Sequence, residues 1–257
     1  MRATLTVLGS GTSMGVPTFG CSCRVCTSTD PHDRRTRPSI MVEYDGRCVL
    51  IDTTPDFRQQ ALRERITRLD AIIYTHAHAD HILGLDDVRP LSFKRPDKIP
   101  LYAHWKTADA LQQIFKYIFD ADYKYGGIAR VEMNCIDGPL ELFGARFESV
   151  RVVHGETEIH GFRFGSAAYL TDFSAVPEES MAQLRNLDIL FLDALRRNPH
   201  PTHSTVANSL RLVEELKPKR AFFTHISHDL HHEDTNQGLP ANVRLAYDGL
   251  KLEFDIA

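Results

Sequence analysis

The stretch "AIIYTHAHADH" (71–81) runs an apolar, β-branched segment directly into His76, His78, Asp80 and His81. A short apolar run of this kind reads as a buried strand, so ligand-type side chains are delivered at a strand end. Imidazole and carboxylate are the usual ligands of zinc, manganese or iron at hydrolytic centres. His76 and His78 alternate and share one face of an extended turn, while Asp80 and His81 swing towards a second position as the chain enters a helix. Four such groups in so short a stretch can serve two cations. An exposed histidine-rich loop is the plainer alternative, and the strand-then-motif context argues against it.

The same arrangement recurs along the chain. Runs at 3–11, 39–44, 48–54, 99–104, 147–155, 167–174, 188–195 and 220–228 read as strands, with "DG" between the second and third as a hairpin turn. Stretches 55–66, 107–119, 176–186 and 203–217 carry apolar spacings of three and four and read as helices. His203–Ser204–Thr205 opens the last with N-cap chemistry. Hairpins followed by mixed elements predict an α/β or α+β sandwich. With no repeat or linker in view, residues 1–257 are expected to form one domain. Asp52, His76, His154, Asp172, Asp193 and His225 fall at strand ends, and converging strand ends are where α/β proteins build sites.

A second cluster stands apart. "GCSCRVC" (20–26) crowds Cys21, Cys23 and Cys26 into one turn, a spacing suited to zinc, although a closed structural site needs a fourth ligand. The chain has 5 cysteines, an odd number in which the clustered three pair poorly with one another. This predicts a reducing, cytoplasmic setting with a metal-bound thiolate cluster rather than disulfides. Cys48 and Cys135 read as core residues. With 30 basic against 34 acidic residues and a formal charge of −4, a dedicated nucleic-acid binder is disfavoured. The basic stretches 33–39 and 89–98 read as solvated surface. No signal peptide and no membrane-length apolar run is visible.

Taken together, "THAHADH", "VVHG" with His154, "YLTDFS" with Asp172 and "FFTHISH" with His225 resemble the metallo-β-lactamase superfamily in order and over almost the whole chain. The resemblance implies a four-layer αβ/βα sandwich with a dinuclear site between two sheets. It implies that His76, His78 and His154 hold one metal ion, that Asp80, His81 and His225 hold the other, and that Asp172 bridges them. Asp52 resembles the strand-end aspartate that buttresses this site by orienting a ligand histidine. Asp193 is expected either to act similarly or to cap a turn.

If His225 enters that site, His228 sits about one turn further and is free to complete a Cys₃His zinc site with Cys21, Cys23 and Cys26. His231 and His232 are the competing fourth ligands. "GTSMGVPTFGCSCRVC" combined with "THISH" resembles the phosphodiesterase family of bacterial phosphonate breakdown, which opens a 1,2-cyclic phosphate on phosphorylated ribose. That family lies near the tRNA 3′-processing endonucleases. The resemblance implies two divalent cations, zinc or manganese, besides one structural zinc. Held about 3.5–4 Å apart, the pair would carry a bridging hydroxide that attacks the diester. His203 of "HPTHST" would assist the leaving oxygen, with His200 as its rival. The expected partner is a small phosphodiester, with nucleic acid second, no membrane, and a homodimer left open. A tRNA 3′-processing endoribonuclease or a lactone or thioester hydrolase is the alternative. Segments 92–98 and 119–127 are expected to shape the substrate entrance.

Overall fold

The computed structural model describes residues 1–123 and 126–256. It forms two seven-stranded sheets. The strands are β1 (Arg2–Gly9), β2 (Ser39–Tyr44), β3 (Arg47–Ile51), β4 (Ala71–Ile73), β5 (Ile99–Ala103), β6 (Val131–Cys135) and β7 (Leu140–Leu142). They continue as β8 (Ala145–His154), β9 (Thr157–Phe164), β10 (Ala167–Leu170), β11 (Ile189–Asp193), β12 (Arg220–Thr224), β13 (Val243–Leu245) and β14 (Lys251–Asp255). The first sheet has the order β14-β1-β2-β3-β4-β5-β6 and the second β13-β12-β11-β10-β9-β8-β7.

Side-chain alternation sets the layers. On β3, Val49 and Ile51 join Phe147, Phe162, Phe164 and Phe191 in the core between the sheets. Cys48 and Leu50 face the other way, onto Phe57, Ile82, Leu85 and Leu111 of the flanking helices. On β11, Ile189 and Phe191 face the first sheet, while Leu190 and Leu192 pack with Val206, Val213 and Leu216 of the helix Val206–Leu216. Strands buried on both faces need no polar alternation, which is why these runs are continuously apolar. Three apolar layers separating helices, sheet, sheet and helices make a four-layer αβ/βα sandwich, the metallo-β-lactamase fold.

Each sheet is parallel in one half, through β3–β4–β5–β6 and through β10–β11–β12–β13. The carboxyl ends of β3, β4, β10, β11 and β12 therefore deliver Asp52, His76, Asp172, Asp193 and His225. The opposite ends of β3 and β4 border a cavity lined by Arg47, Arg68, Asp70, Lys94, Arg95 and Asp97. The segment 92–98 thus lies at the far end of the strands from the histidines and does not form the entrance. Residues 118–121 and Tyr123 line a separate cavity against β6. The entrance expected of 119–127 is not built there, and Lys124 and Tyr125 fall outside the described residues. Cys48 is buried, but Cys135 is exposed because β6 is an edge strand. The helix expected from His203 begins at Val206, where Thr205 caps by accepting a hydrogen bond from the Asn208 amide at 3.2 Å. His203 is thereby released from capping. Among the described residues no helix is long and apolar enough to cross a membrane.

Close backbone packing fixes the short helix Ala79–Ile82 that carries Asp80 and His81. The Gly84 amide donates to the Thr53 carbonyl at 2.9 Å, and a Cβ at Gly84 would lie 2.0 Å from the Thr54 carbonyl oxygen. Gly84→Ala is expected to cost about 1–3 kcal/mol through overpacking, lowering the thermal midpoint by about 2–4 °C for each kcal/mol. Gly138→Ala, where an added Cβ meets nothing within 4 Å, serves as the control in the same melting experiment and is expected to leave the midpoint unchanged.

Candidate active site

Asp52, Asp172 and His225 follow β3, β10 and β12 within two residues, and all three have left-handed backbone, with φ of 68°, 57° and 54°. Such a conformation costs about 1 kcal/mol or more for a residue with a Cβ, and Asp and His are among the side chains that tolerate it best. The reversal breaks the two-face alternation of each strand at the point where a side chain has to serve the shared edge.

Behind the motif, Asp52 is fully buried and anchors three groups. It accepts from the Thr75 amide at 2.9 Å and the Thr75 hydroxyl at 2.8 Å, and His81 Nδ1 lies 2.7 Å from its Oδ2. Thr75 Oγ1, already donating, accepts from His76 Nδ1 at 3.0 Å. His154 Nδ1 donates to the Thr202 carbonyl at 2.8 Å, and His203 Nδ1 lies 2.8 Å from Asp193 Oδ2. Four imidazoles are held by Nδ1 in this way, which leaves each Nε2 for the cavity.

The seven residues expected to ligate gather in two adjoining groups: His76, His78 and His154, and Asp80, His81, Asp172 and His225. Within each, the ligand atoms lie within 4.8 Å of one another. His81 Nε2 is 3.2 Å from Asp172 and 3.3 Å from Asp80. His225 Nε2 is 3.0 Å from Asp172 and 3.6 Å from Asp80. Despite these separations, His76 Nε2, Asp80 Oδ2, His81 Nε2 and both ring nitrogens of His225 are buried without an aligned hydrogen bond. Buried polar atoms are ordinarily paired. Close, unaligned and unpaired, these atoms have the arrangement of ligands facing a cation. Asp172 also groups with His154 and His203, and so touches both sets.

The electrostatics point the same way. Burial works against ionising Asp172, yet His225 and His81 outweigh it and hold the carboxyl well below its usual range. Burial works against a charge on His225 as well, and Asp172 and Asp80 outweigh it, pushing the imidazole up to about 10. The pocket therefore demands positive charge. His203 sits at its rim, with ring centroids 4.8 Å from His154 and 4.6 Å from His225. Burial and the neighbouring His225 hold it down at about 4, while burial pushes Asp193 well above the carboxylate range. Both shifts disfavour the ionic form of the Asp193–His203 pair. His200 lies 5.0 Å from the His203 ring and turns its Nδ1 to Thr202; it belongs to neither ligand group.

At the other cluster, Cys21, Cys23 and Cys26 Sγ lie 3.2, 3.5 and 3.4 Å from His228 Nδ1. His231 instead approaches Asp33, and the His232 ring packs against His32. The Cys26 amide lowers the Cys23 thiol to about 6, and burial pushes Cys26 up to about 11. Next to this cluster is a brace that was not read from the sequence. Arg35, fully buried, pairs with Asp33 at 2.9 Å and donates to the carbonyls of Ser227 at 3.0 Å and Leu230 at 2.8 Å. Asp33 in turn accepts from the His232 amide at 2.9 Å. One guanidinium thus secures both sides of His228, three residues from His225.

Residues 47–226 match the family model of the β-lactamase superfamily domain. The crystal structure of a diphosphatase from the PhnP family is 66% identical to this chain, with a TM-score of 0.95, covering 100% of this chain and 98% of that one. An octanoyltransferase of Porphyromonas gingivalis is 37% identical, the match covering 97% of this chain and 51% of that protein. The chain spans about half the length of the curated relatives it matches. The short form of human tRNase Z is 18% identical with a TM-score of 0.71 over 99% of both chains, a likeness of fold. The chain belongs to the β-lactamase superfamily and, within it, to the PhnP family.

Arg35→Met leaves Asp33 buried and uncompensated, and is expected to cost about 3–5 kcal/mol in urea denaturation. Arg2→Met, which removes only the exposed pairs with Glu253 and Asp255, is expected to change stability by about 0.5 kcal/mol or less.

Proposed function

We propose that this chain is a dinuclear metal-dependent phosphodiesterase acting on a small, cyclic ribose-phosphate type of diester. The observation that carries this reading is the convergence of seven His and Asp side chains, all but His78 buried, among which His76 Nε2, Asp80 Oδ2, His81 Nε2 and His225 Nε2 have no hydrogen-bond partner. In it, His76, His78 and His154 hold one divalent cation, Asp80, His81 and His225 the other, and Asp172 serves both. A mixed nitrogen and carboxylate donor set suits zinc or manganese. Such a cation pair, when bound, polarises phosphoryl oxygens and lowers the pKa of coordinated water towards neutrality. A structural zinc in Cys21, Cys23, Cys26 and His228 accords with the sulfur–nitrogen separations above, given metal bonds of about 2.3 Å to sulfur and 2.0–2.1 Å to nitrogen.

The chain's own residues orient and move protons. Asp52 and Thr75 hold His81 and His76 in the Nε2-facing form, and the Thr202 carbonyl does the same for His154. His203, adjacent in sequence to Thr202, therefore moves with the loop that steadies a ligand. Its Nε2 faces the cavity: as Nε2–H gives its proton to the departing oxygen, Nδ1 takes one from the Asp193 carboxyl behind it, and the resulting carboxylate stabilises the imidazolium in passing. The resting pair is disfavoured as ions by burial, and negative charge growing on the leaving oxygen favours them. Proton delivery is thus coupled to bond breaking. A phosphoanhydride as the scissile bond is the second reading, favoured by the 66% identical diphosphatase. There the leaving phosphate needs less help from His203.

His203→Ala is expected to lower kcat by about 10²–10⁴-fold on an alkyl diester such as a cyclic ribose phosphate. On bis(p-nitrophenyl) phosphate, whose leaving group needs no proton, the loss is expected to be less than about tenfold. Steady-state rates on both substrates decide it, and equal losses would remove His203 from the leaving-group role. Low turnover of the diester beside rapid cleavage of a P–O–P anhydride would favour the anhydride reading.

A further inference from the structure

We propose that Thr171 is a positioning residue for the metal pair: its hydroxyl fixes the rotation of the Asp172 carboxylate, so that this one side chain can serve both cations. The inference rests on the dinuclear site of the reading above. Thr171 is buried, and its Oγ1 donates to Asp172 Oδ2 at 2.5 Å. His81 Nε2 stands 3.2 Å from that same oxygen, and His225 Nε2 stands 3.0 Å from Oδ1. The hydroxyl therefore meets the carboxylate at an oxygen that faces a candidate ligand. The terminal torsion of an aspartate is broad, and a donor fixed on one oxygen removes that freedom before any cation binds.

The contact depends on the local backbone. Neighbours on a strand point to opposite faces, so a hydroxyl at one position does not ordinarily reach a carboxylate at the next. On β10, Ala167 and Tyr169 face the core between the sheets, whereas Ala168 and Leu170 face the helix side. Thr171 continues the first series. Asp172 would continue the second, but its φ of 57° turns it back. The turn that brings the carboxylate into the site thus also brings it onto the hydroxyl before it. The Tyr169 hydroxyl beside Thr171 is a donor in its own right, which leaves the Thr171 proton to the carboxylate. Two other strand ends pair threonine with a ligand-type residue, Thr75–His76 and Thr224–His225. Both threonines are equally buried, yet Thr75 Oγ1 donates to Asp52 behind the site, and Thr224 Oγ1 has no hydrogen-bond partner. A threonine at such a strand end is not by itself a support; Thr171 is set apart by the oxygen it holds.

The test is a manganese titration of chelated protein that keeps its cysteine-held zinc, followed by the EPR signal of free manganese, which counts bound ions without reference to turnover. Wild type is expected to bind two. In Thr171→Val, which keeps the shape and removes the hydroxyl, the weaker-held ion is expected to bind about 10–100-fold less tightly. Turnover of bis(p-nitrophenyl) phosphate is expected to return as manganese approaches saturation. Thr171→Ser, which keeps the hydroxyl, and Thr224→Val, which makes the same change where the hydroxyl is unpartnered, are both expected to bind manganese as wild type does. Should Thr171→Val not fold, Thr171→Ala carries the same expectation. A lower melting temperature with unchanged manganese binding in the Thr171 variant would overturn the inference, as would equal weakening in Thr171→Ser or Thr224→Val. A wild type that binds both ions without cleaving the diester would end the phosphodiesterase reading, and the titration would still decide the role of Thr171. A wild type that binds fewer than two ions would overturn both.

Discussion

Asp80 and Asp172 place two carboxylates in the interior where the sheets meet, and the rest of the site answers their charge. Leaving buried carboxylates unanswered costs several kcal/mol each. His81 and His225 face them at 3.0–3.6 Å, and Asp52 stands behind His81 at 2.7 Å. The resulting chain, carboxylate to imidazole to carboxylate, fixes which ring nitrogen faces inwards. It also explains why these side chains tolerate left-handed backbone at Asp52, Asp172 and His225. The strain is offset by contacts that only those turns permit.

That electrostatic centre requires distant loops to stay in register, and the fold ties them by backbone pairing before any metal is considered. The Ile226 amide donates to Ser10 at 2.9 Å and its carbonyl accepts from Thr12 at 3.1 Å, so the loop after β1 is paired with the loop that bears His225. Arg35 and the cysteine cluster grip the same loop a few residues on. On the opposite side, the Thr202 carbonyl links the His203 loop to His154. His76, His81 and His154 are thus each held through a neighbour whose own position is set by the sandwich, as a site needing sub-ångström placement demands.

The legible part of this arrangement was where local pattern and tertiary role agree. "AIIYTH", "AAYLTD" and "RAFFTH" are each a doubly buried strand with a polar stop, so the stop marks the sheet edge and the candidate ligand together. Strand β9 is hard to read because Glu158, His160 and Arg163 interrupt its apolar pattern; Glu158 and His160 lie on the face that carries Phe162 and Phe164 into the inter-sheet core, and Arg163 lies on the opposite face with Ile159. The start of the helix Val206–Leu216 was misread because three adjacent residues could cap it. Only the fold decides that Thr205 caps and His203 is released. Cys135 looked like core because its edge position on β6 depends on where the sheet ends. The Arg35 brace was invisible because its acceptors are backbone carbonyls 192 and 195 positions away, and a carbonyl has no sequence signature. Asp193 could be located from its strand, but its hold on His203 depends on the turn that brings the two together.

The most direct test is to strip the active-site cations with a chelator and restore zinc or manganese in measured equivalents, following turnover of a phosphodiester. The structure predicts that activity rises to a plateau at two ions per chain beyond the one held by the cysteines, and that Asp172→Ala folds, keeps the cysteine-held ion and stays inactive at any metal concentration. Full turnover by the chelated protein, or by Asp172→Ala, would contradict the account.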